Sequence, residues 1–150
     1  MLNDSIKESL EQCVLCWLAT VDENGIPNVS PKEAFLPWED RYVIIANIAS
    51  PGSVRNIRQN DQVCVSVLDI LVQKGHKMKG TAAIIDSSHE GFNTMKAALD
   101  ELTMGKFPFN QIIRVEIQEV TPIIAPSYHL YPKQTEAEIV EASKKQYGLN

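Results

Sequence analysis

The chain has 150 residues, 44% hydrophobic and 22% charged, with a net charge of −5, which fits one globular domain with a buried core. That balance excludes a general binder of nucleic acid or acidic membranes, because no basic excess is present to displace counterions. No apolar run approaches the ~20 residues of a membrane span, and three cysteines are too few and too odd for a disulfide scaffold.

The opening "MLNDSIKESLEQ" repeats Leu2, Ile6 and Leu10 at helical spacing, with Ser5 and Glu8 placed as a capping box, and predicts a helix over 3–12. It has no basic n-region followed by an apolar core, so the expected location is the cytoplasm. "VLCWLATVD" and "IPNVSPKEAFLPW", joined by the turn "DENG", predict a hairpin. Pro27, Pro31 and Pro37 make its second arm irregular or an edge. "YVIIANI" predicts the next strand, and a short helix follows it. "VCVSVLD" and "HKMKGTAAIID" are two more strands, turned by "QKG".

Phe92, Met95, Leu99 and Leu102 mark a helix in "GFNTMKAALDELT". "QIIRVEIQEV" then alternates, with Ile113, Val115 and Ile117 on one face. Thr135 and Glu138 form a capping box for a last helix that is acidic early and carries Lys144 and Lys145 late. Short turns between neighbouring strands imply antiparallel pairing. Six or so strands with helices around them suggest a barrel or a strongly curved sheet.

Chemistry-bearing motifs are sparse. Cys13 and Cys16 spell "CVLC" but lack a second ligand pair, and His76, His89 and His129 lie in three separate segments, so no metal site is expected. There is no Gly-x-Ser-x-Gly elbow, Walker loop or dinucleotide fingerprint. "ANIASPGSVRNIRQND" (46–61) follows a strand and opens a helix with serines, a glycine and Arg55. Alone it reads equally well as an anion cradle or as a capped turn with solvated Arg55 and Arg58. "PNVSPKE" sets Ser30 and Lys32 on one side of an extended run, and "QKGHKMKGTA" sets Lys77 and Lys79 on one strand face.

"GIPNVSPKE", "VIIANIASPGSVRNIRQNDQVCVSV" and "QKGHKMKGTA", in this order, closely resemble the pyridoxamine 5′-phosphate oxidase-like, FMN-binding split-barrel proteins. The resemblance implies a mainly β, α+β fold: an antiparallel six-stranded Greek-key split barrel with peripheral helices, as one domain over 1–150. It implies a homodimer with FMN in clefts between the subunits. Val29, Ser30, Pro31 and Lys32 would line one side of the flavin, with Ala46 and Asn47 beside it. Ser50, Ser53, Val54, Arg55 and Asn56 would hold the phosphate and ribityl chain. Gln73, Lys74 and Gly75 would approach from the partner subunit. The implied activity is an oxidoreductase passing electrons from NAD(P)H or a similar small donor to a small acceptor. A non-enzymatic FMN carrier and a haem-binding relative are the alternatives. The family's Ser-Arg-Lys phosphate signature reads "SVRN" here, and the tail after Ser127 has no arginine, so oxidation of pyridoxamine phosphate itself is not implied. "SYHLYP" is open between a substrate wall and a turn.

Overall fold

The computed structural model describes residues 1–150. Its centre is one antiparallel sheet. In chain order the elements are α1 (Asp4–Gln12), β1 (Cys16–Val21), β2 (Pro27–Lys32), β3 (Phe35–Trp38), β4 (Tyr42–Ala46), α2 (Pro51–Gln59), β5 (Gln62–Asp69), β6 (Lys74–Ile85), α3 (Phe92–Thr103), β7 (Ile112–Ile124), α4 (Ser127–Leu130) and α5 (Glu136–Gln146). The strands lie in the order β2-β1-β5-β6-β7-β4-β3.

Seven strands stand where the sequence suggests six, and the difference lies in the proline-rich arm. Its first part pairs with β1, Lys32 opposite Cys16, while its second part pairs with β4, Phe35 opposite Ile45. Only Glu33 and Ala34 separate the two parts, so the two edges of the sheet are consecutive in the chain. One bent strand therefore draws the sheet around into a split barrel, which reconciles seven ladder strands with six barrel staves.

Strand alternation then builds the core. Leu18, Val43, Ile45, Val65, Val67, Met78, Ile113 and Val115 are fully buried in one cluster, joined by Leu2 just before α1 and by Ile6 and Leu10 of α1. A second cluster, outside the barrel wall, joins Ile44, Ala46, Ile85 and Ile112 to Phe92, Met95 and Leu99 of α3. β4 is thus buried on both faces, which is why it reads "YVIIA" without alternation.

The first and last long helices begin differently. Asn3, not Ser5, caps α1: its side chain accepts from the Ile6 amide at 2.9 Å. Ser5 falls inside the first turn, so the Ser5–Glu8 box does not form. The Thr135–Glu138 box at α5 forms in both directions, at 3.2 and 2.9 Å. No helix is long and apolar enough to cross a membrane.

Candidate functional site

α2 is seated on the β1–β2 edge by one polar face. Lys32 Nζ donates to Ser50 Oγ, Ser30 and Ser53 hydroxyls lie 3.3 Å apart, and Asn56 Nδ2 donates to Thr20 Oγ1 at 3.0 Å. Residues 50, 53 and 56 recur every three along the helix, while 30 and 32 recur every two along β2, so two different periodicities meet in register. The turn before the helix places Ala49 at a φ of 53°, a left-handed conformation that costs a non-glycine residue about 1 kcal/mol or more.

This seating decides which side chains remain free. Ser53 and Asn56 are 3% and 8% exposed and are engaged with β1 and β2. Ser50 is the N-cap residue of α2 but makes no side-chain cap, so the first amides of the helix have no protein acceptor from it. Arg55 lies back across that first turn: a Cβ added to Gly52 would stand 3.9 Å from Arg55 Nη2. A guanidinium therefore sits beside the positive end of the helix, with nothing negative paired to it.

Two cavities meet at Ser50. The larger, about 840 Å³, is walled by Asn47, Val54, Arg55 and Arg58 on one side and by Pro108 to Gln111 on the other. The smaller, about 560 Å³, is mostly apolar and includes Pro31, Lys32, Ala46, Ile48, Leu102, Met104 and Phe107. Lys32 is 6% exposed with a serine hydroxyl as its hydrogen-bond partner, and burial pulls its ammonium below the ordinary lysine range. In the larger cavity Asn47 donates to Gln111 Oε1 at 3.1 Å, but its own Oδ1 is buried without a donor. Lys32 is thus a buried cation without an anion, and Asn47 Oδ1 a buried acceptor without a donor, at the two cavities that share Ser50.

The candidate residues thus divide. Pro31, Lys32, Ala46, Asn47, Ser50, Val54 and Arg55 line these two cavities; Val29 is exposed on β2, and Ser30, Ser53 and Asn56 seat the helix. Lys74 and Gly75 border a third cavity, of about 400 Å³, between α1, β6 and α5, and Gln73 donates to Ser143 Oγ at 3.3 Å. Those three residues do not join the Ser50 site within one chain. His76 borders the third cavity too, and none of the three histidines lines either cavity at Ser50. No cluster of three metal-ligating side chains is present.

The residues that sequence reasoning missed are Arg58, one turn after Arg55 on α2, and the segment between α3 and β7. "TMGKFPFNQ" walls both cavities, and its left-handed Met104 and Gly105, at φ 54° and 65°, turn the chain there. "MGK" is a visible turn signal, but nothing local says that the turn reaches back to α2.

Cys13 is the C-cap residue of α1, and Cys16 opens β1, wholly buried, where desolvation pushes its thiol up to about 12. It is an inert core thiol.

Fold and site together define a split barrel in which the start of α2, with Arg55 and Arg58, lies beside an apolar slot. The chain belongs to the pyridoxamine 5′-phosphate oxidase family, whose model matches residues 2–123. Its fold is shared with HupZ of Group A Streptococcus, at 21% identity and a TM-score of 0.69, covering 80% of this chain and 92% of that one. It is likewise similar to an FMN-binding protein from Syntrophomonas wolfei, at 20% identity and a TM-score of 0.64, over 81% and 90% of the two chains. The same holds for HutZ, the haem storage protein of Vibrio cholerae, at 19% identity and a TM-score of 0.64, over 82% and 94%. No curated protein matches the sequence.

Proposed function

We propose that the chain is an FMN-dependent oxidoreductase of the cytoplasm, one flavin-binding unit over residues 1–150, acting as a homodimer. The observation that carries this reading is the pair of cavities joined at Ser50, one cationic and one apolar. FMN has the same division, a dianionic phosphate at one end and a flat, largely apolar ring at the other. Each cavity has the volume that small-molecule sites commonly show, ~300–1,000 Å³.

Arg55, Arg58 and the free amides at the start of α2 would hold the phosphate through charge-assisted hydrogen bonds. Pro31, Ala46 and Ile48 would give the ring an apolar wall. Asn47 Oδ1, in the larger cavity beside Ala46, would accept from a donor on the bound ligand, and Lys32 would set a positive charge near the ring edge. Bound FMN supplies two-electron and one-electron transfer chemistry; the chain's residues orient it and tune it. A buried ammonium favours an electron-rich partner, because in a low-dielectric site its charge is screened little.

The apolar slot is open on the side of Val14, Met104 and Phe107, all exposed. A second copy of the chain would close it, and would bring Gln73, Lys74 and Gly75, which lie elsewhere in their own chain. The donor is NAD(P)H or another small reductant, and the acceptor is a small molecule.

The test is the absorbance spectrum of the purified protein, followed by addition of reduced nicotinamide. Flavin bands that bleach with the donor and return with an acceptor are expected. Flavin bands that no donor bleaches at a useful rate would leave a carrier in place of an enzyme. A colourless protein that ignores added FMN would overturn the reading.

A further inference from the structure

The family match ends at residue 123, and the residues beyond it converge on one turn. The Ala125 amide donates to the Gln73 carbonyl at 3.1 Å, and Tyr128 Oη donates to the Val72 carbonyl at 2.6 Å. Gln73 Nε2 donates to Ser143 Oγ at 3.3 Å, with Ser143 only 1% exposed. Lys74 Nζ pairs with Glu136 Oε2 at 2.9 Å and lies 4.3 Å over the Tyr128 ring. Every one of Val72, Gln73 and Lys74 is therefore held by the segment 125–150.

The turn needs holding. Gln73 has a φ of 59°, a left-handed conformation disfavoured for a residue with a Cβ, and such conformations persist where surrounding contacts over-determine them. The turn's own bonds reach it only partly: Asp69 accepts from the amides of Leu71 and Val72 through its side chain and from Gln73 through its carbonyl. Those bonds close the loop but do not direct the Gln73 side-chain amide or the Lys74 ammonium. Both side chains take their direction from α4 and α5.

We propose that residues 125–150 form a clasp that holds the 69–75 turn in the shape in which it meets FMN bound to a second copy of the chain. Tyr128, Glu136 and Ser143 are its positioning residues. The clasp rests on the flavin reading. It acts on the flavin in trans, through a turn that does not touch the Ser50 cavities of its own chain.

The experiment is an FMN titration of the full-length Tyr128→Phe, Ser143→Ala double variant, beside wild type and Arg55→Ala. Loss of the two hydrogen bonds loosens the turn, and FMN affinity falls by about tenfold, with amide exchange at 72–74 accelerated. The double variant is then mixed with Arg55→Ala under conditions that exchange subunits. A mixed dimer pairs the intact cradle of one chain with the intact turn of the other, so a population of sites regains wild-type affinity. Wild-type affinity in the double variant overturns the clasp. Weakened binding that mixing does not restore places the defect in the same chain and overturns its action in trans. A wild-type protein that binds no FMN overturns the flavin reading, and this proposal with it, and is distinguished because the failure is already present without any substitution.

Discussion

Lys32 Nζ donates its hydrogen bond to Ser50 Oγ, joining the last residue of β2 to the N-cap residue of α2. The pair closes a corner of the barrel with a cation and a neutral hydroxyl, an arrangement that leaves the positive charge uncompensated at 6% exposure. Such a charge costs folding energy that a bound anion or electron-rich ring can offset.

Lys32→Met therefore raises the stability of the apoprotein while weakening FMN binding. The pH sign agrees. The folded-state pKa is lowered by burial from 10.5, so below that lowered value the full cost is present, and it is relieved as pH rises towards 10.5. Urea denaturation of wild type should gain stability over this alkaline range, and the methionine variant should lose that slope. A variant less stable than wild type at neutral pH would contradict the assignment.

Arg55→Ala and Arg58→Ala each remove a cation from the larger cavity. A charge-assisted hydrogen bond contributes ~1.5–3 kcal/mol, so either change should weaken FMN binding by roughly 10- to 100-fold. Calorimetry at low and high salt should show a smaller salt dependence in both variants. Unchanged affinity would mean that the guanidinium points away from the ligand.

His76 supplies a pH prediction from the opposite limb. Its Nδ1 is buried without a partner, and desolvation lowers its pKa from 6.5. The folded chain binds fewer protons than the unfolded one in that window, so stability falls as pH drops from 6.5 through the lowered value. Asp40, depressed by its bond to Lys7, loses its contribution only from 3.8 downward, which separates the two. His76→Gln should flatten the upper part of the acid limb in pH-dependent thermal melts.

Gly80 stands where β6 and β7 slip register, and a Cβ there would lie 1.9 Å from the Glu116 carbonyl oxygen. Gly80→Ala should destabilise by ~2 kcal/mol or more, through forced displacement of a central strand. Gly25→Ala, at a φ of 79° with open space around it, should cost only the backbone strain, ~1 kcal/mol. Chemical denaturation of both gives the order; equal losses would contradict it.

The fold is legible in the sequence wherever periodicity is local. Ile113, Val115 and Ile117 alternate and lie buried, and Thr135 with Glu138 caps α5. What local pattern hides is where one segment meets another. Nothing within "VSPKEAFLPW" says that two residues in it divide the two edges of one sheet. Ser53 and Asn56 read as ligands because hydroxyls and amides at a helix start suit an anion, and only the register of β1 and β2 reveals that they seat the helix. Asn47 and Gln111 meet at the site through a contact between residues far apart in sequence, while Arg58 follows Arg55 on the same helix and is within local reach. Lys32 is legible in identity and side, while its burial and its serine partner require the three-dimensional closure.

If the two cavities joined at Ser50 hold FMN by its phosphate as well as its ring, the phosphate must carry a large share of the affinity. Fluorescence titration of the apoprotein with FMN and, in parallel, with riboflavin isolates that share, because the two ligands differ only in the phosphate. Saturable FMN binding is expected, with riboflavin weaker by about 100-fold or more, since charge-assisted contacts of ~1.5–3 kcal/mol each are lost. Equal affinity for the two ligands, or no binding of either, would contradict a phosphate cradle at the start of α2.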